Sequence, residues 1–202
     1  IGCIGIQKIV LPELPIIPLG VDTKQFVIQA ENKKLARETL NLLPDDVVIL
    51  YMGRLSFHAK AHPLPMYQAL EATRMKTGCR IVLLEVGWYP NDAIKKSYAN
   101  AAQTICPNVE VKYLDGRKAE NRELAWSAAD IFSSLADNIQ ETFGITPIEA
   151  MAAAMPVIVS DWNGYKDTVR DGKDGYRIPT IMPNSGLGTD LALRHAMGID
   201  SY

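Results

Sequence analysis

Two glutamates, Glu141 and Glu149, stand eight positions apart in the stretch ETFGITPIE, around a Phe-Gly pair and a proline. Upstream, GRLSFHAK sets Arg54 and Lys60 just behind Gly53 and a short apolar run. Arginine offers a planar fork of donors and lysine a mobile point charge, a pairing suited to a diphosphate. Carboxylates beside phosphates repel them unless they face hydroxyl groups instead. A ligand with both phosphates and hydroxyls, as a sugar nucleotide has, reconciles the two sets of residues.

Each set also has a plainer reading. Residues 53–60 can be a solvated loop with two surface cations. Thr146-Pro147-Ile148-Glu149 matches a capping box, with Thr146 as N-cap, Pro147 at the first helical position and Glu149 at the third. Such a cap is worth roughly 1 kcal/mol. It accounts for Glu149 but leaves Glu141, which lies before the helix, without a capping task. The same helix start, beside Gly144, also offers backbone N–H groups to an anion.

These residues have to be positioned by the elements around them. Apolar runs at 47–52, 80–86, 109–114, 130–135 and 156–160 have the length of buried strands. Helical spacing occupies 31–43, 64–77, 91–104, 119–128 and roughly 145–154 between them. This alternation predicts an α/β fold: a Rossmann-like, doubly wound parallel sheet with helices on both faces. RDGKDGYRIP adds a tight turn into a short extended segment. Ligands bind such sheets beyond the carboxyl ends of the strands, which selects residues 53–60, 87–89, 115–118, 136–146 and 161–165. The Pro- and Gly-punctuated residues 1–20 read as a linker, 21–180 as the domain, and 181–202 as a loop followed by a helix with no strand after it. The missing initiator Met and the ending GIDSY are those expected of a fragment of a longer protein.

Composition narrows the classes. The chain has 202 residues, 22% of them charged, with a net charge of −2 and no basic run, which argues against a nucleic-acid surface. Its three cysteines lack metal-ligand spacing and fit a reduced, cytoplasmic protein. No apolar run is long enough to span a bilayer. His58 and His62 are four apart, but Pro63 follows at once and no third ligand joins them, so no metal site is expected. His195 reads as a surface or cap residue, and Trp88, Trp126 and Trp162 as packing residues. Glu85, at the end of an apolar strand, reads as a structural acid paired with a nearby cation. The GxGxxG, GxxxxGK[ST] and GxSxG patterns of dehydrogenases, P-loop proteins and serine hydrolases are absent.

Taken together, ETFGITPIEAMAAAMPVIVSDWNGYKDTVRDGKDGYRIP (141–179), YMGRL…K (51–60), AADIFSSLADNIQETFG (128–144) and IPLGVDTKQF (17–26) resemble the C-terminal, donor-binding domain of retaining GT-B glycosyltransferases of family 4, the glycogen-synthase-like group. The resemblance implies that Arg54 and Lys60, behind Gly53, hold the diphosphate of a nucleoside-diphosphate sugar. It implies that Glu149 accepts from the ribose hydroxyls and that Glu141 contacts the transferred sugar. Backbone groups of Phe143, Gly144, Ile145 and Thr146 would bind phosphate or sugar, and Gly116, Arg117 and Lys118 would border the base. It also implies transfer to a glycan or other acceptor without a metal or other cofactor, the acceptor being read by an N-terminal domain. For the full-length protein it allows a peripheral membrane contact. Three positions depart from the pattern: Ala154 replaces a usual Gly, Leu19 a frequent Asn, and Ala61 a common Gly. Two alternatives stay open: a nucleotide-binding module inactive as an isolated piece, and a sugar-nucleotide epimerase of the same architecture.

Overall fold

The computed structural model describes residues 15, 19–28, 30–57, 59–138, 141–182, 184 and 186. Most of the expected linker and of the expected C-terminal helix, together with His58 and His195, lie outside the described residues. The run VVILYM forms strand β1 (Val47–Met52), and the other apolar runs form β2 (Ile81–Gly87), β3 (Glu110–Asp115), β4 (Ile131–Ser134) and β5 (Val157–Ser160). The extended segment after the Asp-Gly turns is β6 (Gly175–Ile178). All pair in parallel, in the order β3-β2-β1-β4-β5-β6. Every residue of β2 is buried, whereas edge strand β3 is mostly half-exposed. This is why β2 reads as a continuous apolar run and β3 alternates.

The helices are α1 (Ala30–Thr39), α2 (Pro63–Thr77), α3 (Asp92–Ile105), α4 (Ala119–Ala128), α5 (Ile145–Ala152) and the single turn α6 (Tyr165–Thr168), preceded by a 3-10 turn at Thr23–Phe26. Right-handed crossovers put α2 and α3 on one face and α4 and α5 on the other; accordingly α2 packs on α3 and α1 on α4. Local chemistry sets their ends. His62 Nδ1 accepts from the Leu64 N–H ahead of Pro63, and Gly78, at φ +73°, closes α2. Asn91 Oδ1 accepts from the Ile94 N–H at 2.9 Å and starts α3. The first helix stops at Thr39 rather than at 43, because Asn41 turns left-handed at φ +53°. At the N-terminal edge of the sheet Asp130 accepts from Lys33, Arg37 and the Val48 N–H, at 2.7, 2.6 and 2.9 Å. This fixes α1 to the sheet.

The core is a two-sided sandwich on the central strands: Val48, Leu50, Leu83, Leu84, Phe132 and Val157 are all fully buried. Trp126 packs between Phe26 and Phe132, with ring centroids at 5.6 and 5.9 Å, as expected of a packing residue. Ala154, in place of the usual glycine, sits at φ +57°, a backbone region that costs a residue with a Cβ about 1–2 kcal/mol.

Candidate functional site

The sheet order reverses between β1 and β4, so the loops after these strands flank the crevice of the switch point. The loop after β1 leaves the sheet on backbone bonds: Gly53 N–H donates to Val86 O at 2.9 Å and Leu55 N–H to Trp88 O at 3.0 Å. The approach is so close that a Cβ on Gly87 would stand 1.9 Å from the Gly53 carbonyl oxygen. Gly116 follows as the third layer, its N–H donating to Gly87 O at 2.9 Å. A column of glycines thus aligns the ends of β1, β2 and β3. Arg54, on this ledge, is half-buried, and its guanidinium has no hydrogen bond or ion pair among the described residues.

Lys60 and Glu141, 81 positions apart, meet directly: Nζ stands 2.7 Å from Oε2. The loop that delivers Glu141 is anchored from below. Ser160 Oγ–H donates to Ala136 O, Trp162 Nε1–H donates to Asn138 O at 2.9 Å, and Asn138 Nδ2–H donates to Lys60 O at 3.2 Å. Trp162 is therefore a brace for this loop.

Helix α5 begins at Ile145, with Gly144 as its N-cap at φ +77°, and no side chain caps it. The capping box is thereby corrected. Thr146 is the second helical residue, Pro147 the third and Glu149 the fifth, so Glu149 is beyond reach of the cap. Proline is tolerated there because the first four N–H groups of a helix have no intrahelical partner. Gly144 is dictated by packing: a Cβ would lie 2.1 Å from the ring of Tyr165. That ring is buried, with its hydroxyl 2.9 Å from Ser134 Oγ. The first turn of α5 is thus uncapped by any side chain, and Phe143 and Gly144 lead into it directly from Glu141.

Glu149 is half-buried, and burial raises its carboxyl above the usual range, opposed by the charge of Arg122. Arg122 also donates to Gly116 O at 2.7 Å, so the loop after β3 and the acid of α5 have the same guanidinium as a neighbour. Arg117 points elsewhere: it forms a two-pronged pair with Asp115 at 2.9 and 2.7 Å and is exposed. Lys118 is the N-cap of α4 without a side-chain bond. Of the residues singled out at 116–118, Gly116 alone is built into the site's framework.

Residues 32–184 match the model of the family described as glycosyl transferases group 1. The chain belongs to this family. Among relatives of this group 1 chain, a D-inositol 3-phosphate glycosyltransferase of Nocardia farcinica is 26% identical over 82% of the chain and 36% of its own length. The chain spans about 36–40% of the length of the curated relatives it matches first. The Anabaena protein HepE, solved in complex with UDP and glucose, superposes with a TM-score of 0.66 at 20% identity, covering 89% of this chain and 45% of that one. The C-terminal domain of a group 1 family protein from Francisella tularensis superposes at 0.58 and 20% identity, over 89% of this chain and 88% of that one. The α/β, Rossmann-like fold is that of these neighbours.

Two other sequence expectations for this group 1 chain are changed by the structure. Glu85 has no cationic partner among the described residues; Tyr67 and Tyr89 donate to it instead, at 2.5 and 3.4 Å. Trp88 is 41% exposed and so is no core residue. Among the described residues no group of three His, Cys, Asp or Glu side chains is placed to hold a metal. Arg122 was missed, since Gly116 and Glu149 lie far apart in sequence, in the loop after β3 and on α5, and no local motif marks it.

Proposed function

We propose that this chain is the C-terminal, donor-binding domain of a retaining GT-B glycosyltransferase of family 4, and that it takes a nucleoside-diphosphate sugar and no metal. The observation that carries this reading is the Lys60–Glu141 pair at the switch point, beside the uncapped start of α5. A cation, an acid and a set of backbone donors converge there, and none has a capping task. Arg54 and Lys60 hold the diphosphate and stabilise its charge as the bond to the sugar breaks, aided by the α5 N-terminus. Glu141, released from Lys60 as phosphate takes its place, accepts from hydroxyls of the transferred sugar. Glu149 accepts from the ribose, with the charge of Arg122 nearby and the Gly116 loop held by the same guanidinium, and the base lies against residues 116–118. Because HepE was solved with UDP and glucose, UDP-sugars come first as donors.

The test uses the full-length protein with UDP-, GDP- and ADP-sugars and extracts containing acceptor. Donor-dependent release of nucleoside diphosphate, with a product of the donor's anomeric configuration by NMR, supports the reading. Inverted product overturns retention, and a free epimerised sugar nucleotide with no transfer overturns the transferase reading.

A further inference from the structure

The donor site makes no use of Glu85, although its placement is costly. It is 3% exposed on β2, among strand neighbours that are all apolar or glycine. An apolar residue there would avoid the desolvation of a carboxylate. Among the described residues two phenol donors reach it, while an ionised carboxylate has about four acceptor positions. Burial pushes the carboxyl up to about 7, so a partner of positive charge is what would hold it ionised.

A cavity of about 320 Å³ adjoins it, between α3 and strands β2 and β3. Its walls include Tyr67, Tyr89, Tyr98 and Tyr113, with Glu85 at one side and Lys95 at another. Tyr89 packs against both Tyr98 and Tyr113, with centroids at 5.3 and 4.8 Å. The faces of such rings attract cations, and the chain supplies an example: Lys95 Nζ lies 5.8 Å from the centre of the Tyr113 ring. Size, aromatic walls and a buried carboxyl with no cationic partner among the described residues together select one ligand chemistry.

We propose that this cavity is a second ligand site, which meets the donor crevice at Tyr89 of the 87–89 loop, and that it takes a small organic ammonium ion with Glu85 as counter-ion and tyrosine rings as walls. Lys95 competes with that ligand for the Tyr113 face.

The probes are tetramethylammonium, choline and putrescine chlorides, titrated calorimetrically into the chain against sodium chloride of equal ionic strength. Saturation-transfer NMR from the protein's aromatic protons to the methyl protons of tetramethylammonium locates the bound ion. Tyr98 is left intact, because Phe57 of the 53–60 loop packs on it at 4.7 Å. At least one probe is expected to saturate below about 10 mM. Glu85→Gln should weaken it about tenfold or more and Lys95→Met should tighten it severalfold. Absence of saturation for all three probes, binding unchanged in a folded Glu85→Gln variant, or binding weakened by Lys95→Met overturns the proposal. Should Glu85→Gln fail to fold, the wild-type titration and the Lys95→Met comparison still decide it.

Discussion

Replacing Glu149 with glutamine separates a ligand contact from a structural role. Gln keeps the shape of the side chain and removes its charge. Were Glu149 a capping residue, its loss would cost about 1 kcal/mol of stability and lower Tm by about 2–4 °C in a chain of this size. The structure places it at the fifth position of α5, with Gly144 as the cap and no side-chain capping bond. Its carboxyl is half-buried and raised by that burial, so removing the charge relieves desolvation, offset in part by the lost attraction to Arg122. Tm should therefore be unchanged or slightly raised. Hydrogen bonds from ribose hydroxyls to a charged acceptor contribute about 1.5–3 kcal/mol, so the diphosphate that binds wild type should bind roughly 10- to 150-fold more weakly. Isothermal titration and a thermal melt on the same preparation read both quantities. A fall in Tm with unchanged affinity would refute the assignment.

Four further outcomes follow from the geometry. Lys60→Met removes a cation from the diphosphate and leaves Glu141 unpaired; turnover of the full-length enzyme should fall about 10²- to 10³-fold, and a loss under threefold would exclude a role in leaving-group stabilisation. Ala154→Gly relieves the φ of +57° and should raise stability by about 0.5–1 kcal/mol in urea unfolding, whereas a loss would mean the residue is not left-handed. Gly87→Ala forces a Cβ to 1.9 Å from the Gly53 carbonyl and should reduce both folded yield and nucleotide affinity, and a variant with wild-type affinity would contradict the glycine column. Glu85 has a folded-state value of about 7 against an ordinary 4.5, faced by Tyr51, Tyr67, Tyr89 and Tyr98. Between those values the folded chain binds the extra proton, so its contribution is full at low pH and is lost as pH rises through about 7. The stability difference between wild type and Glu85→Gln should shift against wild type by up to about 3 kcal/mol over that window, and a pH-independent difference would refute the burial argument.

The sheet was legible because its signals are local. Runs such as VVILYM and RIVLLEV have the length and composition of strands covered on both faces, and the helices between them carry their own punctuation, a stop in Gly78 and a start in Asn91. The ion pair of Lys60 with Glu141 was foreshadowed by loop position alone, since both follow strands that are neighbours at the switch point. What sequence reading misplaced depends on distant contacts. Pro147 is compatible with several positions in a first turn, and the true start was set by Gly144 fitting against Tyr165, 21 residues on. Likewise Glu85 meets tyrosines from α2 and from the loop after β2, and Arg122 binds the loop after β3 with its charge near Glu149 of α5; neither geometry is written in a short spacing.

The central claim is that this domain binds a nucleoside diphosphate through Arg54, Lys60 and the α5 N-terminus. Calorimetric titration of the chain with UDP, GDP and ADP, each beside its monophosphate, tests it most directly. At least one diphosphate should bind with a Kd of about 10⁻⁴ M or tighter and its monophosphate about tenfold more weakly. An absence of heat with all three diphosphates at millimolar concentration, or equal affinity for diphosphate and monophosphate, would contradict it.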